Sequence, residues 1–347
     1  MLRSIDRVSR DIIRAILGPR HTWGLAYKAT TLWADVPSRL EDALKRTARE
    51  ERPADDSPVF ILSAGWRSGS TLLQRMLMAH NEDLLLWGEP FAHSNIFDGL
   101  LNQFRAFTHD WPPDSFFLSR MAADRISDTW TANLYPDVDQ LFEAHRSFYR
   151  KLFSDPAAQS GRKHWGFKEV RLNIEHAAYL RVLFPNCKIV FVYRHPHDAY
   201  LSYREWGLNW ARNWPNYVST PYAFGRNWAN MTRGYLQGYA QVNGLLIRYE
   251  DLDDPAEVAR LESYIGWPVP RSSEMKRIGQ IKSDRPPTPH LRQDSLPLID
   301  RALLNLATRT VLQDAGYDKP RQQPPCEPPR DLHGKPGLGD SVMAGSR

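Results

Sequence analysis

Pro58-Val-Phe-Ile-Leu-Ser-Ala-Gly-Trp-Arg-Ser-Gly-Ser-Thr-Leu-Leu73 joins a continuous apolar run to a helical pattern through a turn of small, polar and cationic residues. Val59 to Leu62 read as a strand buried on both faces, and Leu72, Leu73, Met76 and Leu77 repeat at helical spacing. The turn therefore sits at a helix start, where the first amides have no intrahelical partner and attract anions. Gly65 and Gly69 allow close backbone approach, Ser68, Ser70 and Thr71 add hydroxyl donors, and Arg67 supplies a fixed charge. A Walker A loop needs four residues between its glycines and a Lys after the second. Here three residues separate Gly65 from Gly69, and Ser70 stands in the Lys position.

A second stretch repeats the logic: Lys188-Ile-Val-Phe-Val-Tyr-Arg-His-Pro-His-Asp-Ala-Tyr-Leu-Ser202. His195-Pro196 ends the strand and opens a helix, because Pro is tolerated at the first helical position and disfavours helix in the residue before it. Arg194 is thereby placed at a strand's carboxyl end, where open α/β sheets bind ligands, with a planar fork suited to phosphate. Both stretches predict helix N-termini that hold anions, together a pair of clamps for a doubly phosphorylated nucleotide.

Trp66-Arg67-Ser68-Gly69-Ser70-Thr71-Leu72 resembles the loop that holds the 5′-phosphosulfate in sulfotransferases using 3′-phosphoadenosine-5′-phosphosulfate (PAPS). Arg at position 67 is the form found in tyrosylprotein, many carbohydrate and many bacterial members, where cytosolic members carry Lys. In the same family an Arg at a strand end, followed eight residues later by a Ser, reaches the 3′-phosphate; Arg194 and Ser202 have that spacing. Leu245-Leu-Ile-Arg-Tyr-Glu-Asp-Leu252 also resembles a family strand and its exit, and the resemblance spans residues 57–318. It implies PAPS as co-substrate, with Arg67, Ser68, Gly69, Ser70, Thr71, Arg194 and Ser202 as the nucleotide-binding set.

Sulfuryl transfer to a hydroxyl needs a base for the incoming proton and cations for the leaving phosphate oxygen. Leu84-Leu-Leu-Trp-Gly-Glu-Pro-Phe91 reads as a short strand ending at an acid, and Glu89 lies 22 residues after Arg67. A similarly placed Glu is the candidate base in tyrosylprotein and carbohydrate relatives, so Glu89 is the first choice and His93 the reserve. The competing reading makes Glu89 a helix-capping or surface acid. Lys168, in His164-Trp-Gly-Phe-Lys-Glu-Val-Arg171, is the candidate cation for the transferring group, shared with Arg67; the competing reading is a salt bridge to Glu169 or Asp198. No Mg²⁺ ligand set is evident, and fixed Arg and Lys charges make a metal unnecessary for holding the nucleotide. Lys282 and Arg285 are a further basic pair that resembles a 3′-phosphate loop, without a sharp motif.

Residues 200–239 hold eleven aromatics, with Trp206, Trp210 and Trp214 at helical spacing. They read either as core packing or as an acceptor platform or lid, with Tyr217 and Tyr222 expected in an exposed loop.

The 347 residues carry a formal charge of +5, but residues 1–55 hold eleven Lys or Arg against eight Asp or Glu, residues 319–347 hold five against three, and residues 56–318 are neutral. With no basic run interleaved with aromatics in the middle, a nucleic-acid groove is not expected. Two cysteines, Cys187 and Cys326, are too few for a disulfide framework and fit a reducing compartment.

In the first 17 residues Leu2, Ile5, Val8, Ile12 and Ile16 oppose Arg3, Arg7, Arg10 and Arg14, a basic amphipathic helix that docks on protein or contacts a membrane surface. Its interspersed charges disfavour a secretory signal, and Asp6 and Asp11 a transit peptide. Without an anchor of the Golgi type, a cytoplasmic enzyme is expected, with a membrane-peripheral setting as the second reading. The six Pro and four Gly of residues 319–347 predict a disordered tail.

Strands near 58–63, 84–87, 165–168, 187–193 and 244–249 predict an α/β fold, a P-loop-NTPase-like parallel sheet flanked by helices. The domain reading is an N-terminal helical extension over 1–56, a sulfotransferase catalytic domain over 57–318 and the tail over 319–347. The functional reading is transfer of sulfuryl from PAPS to a carbohydrate, lipid or small-molecule hydroxyl. A nucleotide kinase of the same fold group and a non-catalytic PAP/PAPS-binding protein remain as alternatives, and the oligomeric state is open.

Overall fold

Apolar runs that lack polar alternation need cover on both faces, and a parallel sheet between two helical layers supplies it. The computed structural model describes residues 57–91, 94, 96–104, 112–121, 123–128, 130–205, 218, 220–275 and 295–317. Its strands are β1 (Val59–Ser63), β2 (Leu84–Trp87), β3 (His164–Glu169), β4 (Lys188–Tyr193) and β5 (Leu245–Arg248). All pair in parallel, in the order β2-β3-β1-β4-β5. The α/β expectation holds, and each strand begins and ends within one or two residues of its predicted place. Expectations for residues 1–56 and 319–347, and for Cys326, lie outside the described residues.

The helices are α1 (Ser70–Ala79), α2 (Ile96–Phe104), α3 (Val138–Tyr149), α4 (Asp155–Gln159), α5 (Ile174–Leu183), α6 (Pro196–Glu205), α7 (Pro221–Gly238), α8 (Pro255–Ile265) and α9 (Leu298–Leu312). Alternate strand residues point to opposite faces. On one face Phe60, Leu62, Trp165, Phe167, Ile189 and Phe191 meet the apolar stripes of α3, α5 and α7. On the other, Val59, Ile61, Leu86, Val190, Val192 and Ile247 meet Leu73, Met76 and Leu77 of α1 and Val258, Leu261 and Ile265 of α8. Phe60 is completely buried, 4.7 Å centroid to centroid from Phe167 and within 6.1 Å of Trp165 and Phe184. Truncation of so packed an aromatic typically costs roughly 3–5 kcal/mol, a large part of a domain's net stability.

From β1 the chain runs to β2 at one edge and returns to β3, then crosses β1 to reach β4 and β5. Connections therefore change direction around β1, and the carboxyl ends of β3, β1 and β4 border the position where such sheets bind ligands. Cys187 is buried just before β4, and burial pushes its thiol up to about 12, so it is an inert core residue.

Candidate active site

Three strand exits and the turns that follow them converge at this edge. After β1, the amide of Ala64 donates to Val192 O at 2.9 Å, tying the turn to β4. Gly65, Arg67 and Gly69 all have positive φ, at 88°, 64° and 92°. Gly69 is the residue before α1, and a Cβ there would lie 2.0 Å from Cδ2 of Tyr249. Both its backbone angle and its space thus require glycine. The first bond of the helix runs from Leu73 N to Gly69 O, so α1 begins with amides that an α-helix leaves without internal partners. Apart from α1 and α7, each described helix of eight or more residues carries an acid in its first turn. The start of α1 thus carries no acid of its own to meet its first amides. Ser68 is buried and its hydroxyl donates to Ala64 O at 3.2 Å, while Ser70 is buried at the helix start and Thr71 is exposed.

The second clamp differs from its expected form at one point. The amide of His195, just before α6, donates to Glu250 Oε1 at 3.0 Å, and Asp198 lies in the first turn of that helix. The chain's own carboxylates occupy this N-terminus, so anion binding here falls to side chains. Arg194 supplies one: its guanidinium lies 4.4 Å over the Tyr249 ring, and its Nε is buried with no hydrogen-bond partner among the described residues. Such an unmet charged donor is costly unless a ligand satisfies it. Trp228 fixes the backbone, its Nε1 donating to Arg194 O at 2.9 Å. Ser202 comes from the middle of α6, and its Oγ accepts from Arg67 Nε at 2.9 Å. Arg194 Nη1 lies 3.5 Å from Arg67 O. The two turns predicted as separate clamps therefore adjoin one another.

The third exit carries Lys168 and the turn after β2. Lys168 and Glu89 form a salt bridge through Nζ and Oε1, with the lysine buried and the carboxylate partly exposed. The competing partners, Glu169 and Asp198, do not take this ammonium. Glu169 is buried and pairs with Arg171; burial pushes its carboxyl above the ordinary range while the Arg171 guanidinium opposes that shift. Gln74 of α1 donates to Leu86 O at 2.7 Å, and Trp87 Nε1 to Phe153 O at 3.0 Å, which hold the end of β2 below Glu89. Tyr235 of α7 places its hydroxyl 3.2 Å from Ser63 O and 2.5 Å from Leu172 O, joining the exits of β1 and β3.

Several contributors were not singled out in the sequence: Tyr249, Glu250, Trp228 and Arg171; Glu169 was named only as a competing partner of Lys168. For Tyr249 and Glu250 a signal was present, since they stand directly after an apolar strand in the stretch Leu245–Leu252. Tyr222, expected in an exposed loop, is half-buried in the first turn of α7, because Thr220 caps that helix through Ala223 N at 3.1 Å and Pro221 starts it. His93, Trp206, Trp210, Trp214, Tyr217, Lys282 and Arg285 lie outside the described residues. No group of three or more potential metal ligands occurs among the described residues, and no helix there is long and apolar enough to cross a membrane.

Residues 58–271 match the model of the Sulfotransferase family, and the chain belongs to that family. Among solved structures it is similar to a sulfotransferase domain from the curacin biosynthetic pathway, at 18% identity over 76% of this chain and 99% of that one, with a TM-score of 0.40. A sulfotransferase domain from the olefin synthase of Synechococcus PCC 7002 gives 19% identity over 79% and 100%, with a TM-score of 0.39. Comparison with curated proteins gives no match.

Proposed function

We propose that this sulfotransferase moves the sulfuryl group of PAPS to a hydroxyl of a carbohydrate, lipid or small-molecule acceptor. The observation that carries the reading is the junction of Arg67 with Ser202 beside the buried Nε of Arg194, which has no hydrogen-bond partner among the described residues. One strand exit offers helix amides and an Arg, the next an Arg and a Ser, and together they suit two separate phosphate groups on one nucleotide. A single-phosphate ligand would leave Arg194 unmet.

In the proposed step the acceptor oxygen bonds to sulfur as the bond from sulfur to the 5′-phosphate oxygen breaks. Glu89 takes the acceptor's proton, and the electron pair of the broken bond stays on the phosphate. Attacking and leaving oxygens lie on opposite sides of one sulfur atom, so base and cation must both come within reach of the same transferring group, and Glu89 and Lys168 are near enough to each other for each to serve one end. Lys168, with Arg67, meets the charge growing on the leaving oxygen, an effect worth roughly 3–4 kcal/mol by analogy with a preorganised oxyanion donor. Arg194 and Ser202 bind the 3′-phosphate and register the nucleotide against α1. These charges supply donor binding without a metal ion.

The reading takes residues 57–318 as the catalytic unit, with residues 1–56 and 319–347 as appendages, and a cytoplasmic location with possible surface contact through residues 1–17 as its setting. Incubating the purified chain with labelled PAPS and a panel of hydroxylated acceptors tests it. Label transfer that falls on the order of 10²–10⁴-fold in Glu89→Gln supports it. PAPS that binds without any transfer across the panel favours a non-catalytic binding protein. The kinase alternative requires Mg²⁺-dependent ATP binding instead.

A further inference from the structure

Glu169 and Arg171 take no part in the transfer step, yet they sit one and three residues beyond Lys168 as a buried ion pair. We propose that Arg171, itself held by Glu169, is a positioning residue that fixes the Glu89 carboxylate by gripping the two peptide carbonyls that follow it. The inference rests on Glu89 as the base.

Arg171 Nε donates to Glu169 Oε1 at 2.7 Å, and Nη2 also contacts Glu169 Oε2. The same Nη2 lies 3.2 Å from Pro90 O, and Nη1 lies 3.3 Å from Phe91 O. One planar guanidinium thus spans the exit of β3 and the turn after β2. Glu169 is 0% exposed and receives a further bond from Val170 N at 2.8 Å, so its own geometry is closely fixed.

Phe91 has φ 60°, a left-handed conformation that a phenylalanine keeps only when its surroundings hold it. Its ring packs against Phe97, Phe148 and Phe153 at 6.2 to 6.5 Å, and its carbonyl, already gripped by Arg171, accepts from Ser94 N at 2.8 Å. Glu89 is therefore fixed from two sides: Lys168 contacts its carboxylate, and Arg171 fixes the backbone immediately after it. An apolar pair would often stabilise a core as well as a buried ion pair does. What an apolar pair lacks is the ability to grip two carbonyls next to Glu89.

The test uses the full chain and three variants. Arg171→Lys keeps a positive charge for Glu169, but a single ammonium cannot span Glu169 and both carbonyls. Glu169→Gln removes the buried charge and leaves an acceptor for Arg171. Hydrogen exchange over residues 88–94 is expected to be at least about tenfold faster in Arg171→Lys and close to wild type in Glu169→Gln, with the β1 and β4 peptides unchanged in both. Release of PAP from PAPS with water as acceptor is expected to fall on the order of 10²-fold in kcat for Arg171→Lys, with KM for PAPS within about threefold. Arg171→Lys is expected to add no further loss in a Glu89→Gln background.

Unchanged exchange over residues 88–94 in Arg171→Lys overturns the proposal. So does an equal kinetic loss in both backgrounds, or equal deprotection by Glu169→Gln and Arg171→Lys. Full activity of Glu89→Gln instead removes Glu89 as the base, and the exchange result still judges the grip on the turn.

Discussion

Arg67 and Ser202 are 135 positions apart in the chain and are joined by a 2.9 Å hydrogen bond from Nε to Oγ. The bond links the turn after β1 to the helix after β4, so the two pockets proposed for the ends of a nucleotide are mechanically coupled. Ser202→Ala removes a neutral acceptor from a charged donor and a hydroxyl from the 3′ pocket. Loss of a hydroxyl hydrogen bond to a charged phosphate is worth about 1.5–3 kcal/mol, or roughly 10- to 150-fold in Kd for PAP. Calorimetric titration measures it, with the thermal midpoint staying within a few degrees of wild type.

Gly69→Ala strains a backbone position at φ 92° and drives a methyl group into the Tyr249 ring, which itself supports Arg194. The strain alone costs roughly 1–3 kcal/mol. A lowered thermal midpoint is expected together with a weakened affinity for PAP, because Tyr249 cannot move away without disturbing Arg194. Loss of stability with unchanged affinity would separate Tyr249 from the nucleotide site.

Lys168→Met keeps the length and apolar stem of the side chain and removes its charge. If the ammonium meets the leaving oxygen, kcat falls on the order of 10²–10³-fold while PAP affinity changes little. Steady-state kinetics with the best acceptor from the panel read this directly. A change confined to thermal stability would make the pairing with Glu89 structural.

His145 of α3 gives a pH signature distant from catalysis. Its ring is buried with Nδ1 2.7 Å from Tyr179 Oη and Nε2 3.2 Å from Gln103 Oε1, and burial pushes it down to about 4. An unfolded histidine takes up its proton near 6.5. Between those values the unfolded chain binds more protons, so the folding free energy falls as pH drops from about 6.5 to about 4. The loss from this group is on the order of 2–3 kcal/mol and is absent above that window. Chemical denaturation at pH 7 and pH 4.5 is expected to show a smaller difference for His145→Gln than for wild type.

How much of this was legible in the sequence follows from which contacts are local. The five strands were readable because a parallel strand covered on both faces is a continuous apolar run, as in Val59 to Leu62 and Ile189 to Tyr193. The positions of Arg67 and Arg194 at their strand exits were readable because each is set by a local strand-to-helix turn, whereas Ser202 was named from the spacing of the family resemblance, and the binding roles of all three are proposals. The grip of Arg171 on Pro90 and Phe91, and the bond from the His195 amide to Glu250, depend on β2 lying beside β3 and β5 beside β4. Strand order is not written in any local spacing, so those residues appeared as ordinary charges. The start of α6 misled for the same reason: its turn looks like an anion site until Glu250 arrives from the neighbouring strand.

On the proposed function, one continuous site binds a nucleotide bearing both a 5′-phosphosulfate and a 3′-phosphate. The most direct measurement is calorimetric titration of wild type and Arg194→Ala with PAP, run beside adenosine 5′-phosphate and ATP with Mg²⁺. The expected result is metal-independent binding of PAP, far weaker binding of adenosine 5′-phosphate, and a loss of at least about tenfold for PAP in Arg194→Ala. Binding of ATP with Mg²⁺ in preference to PAP, or equal affinity with and without the 3′-phosphate, would contradict it.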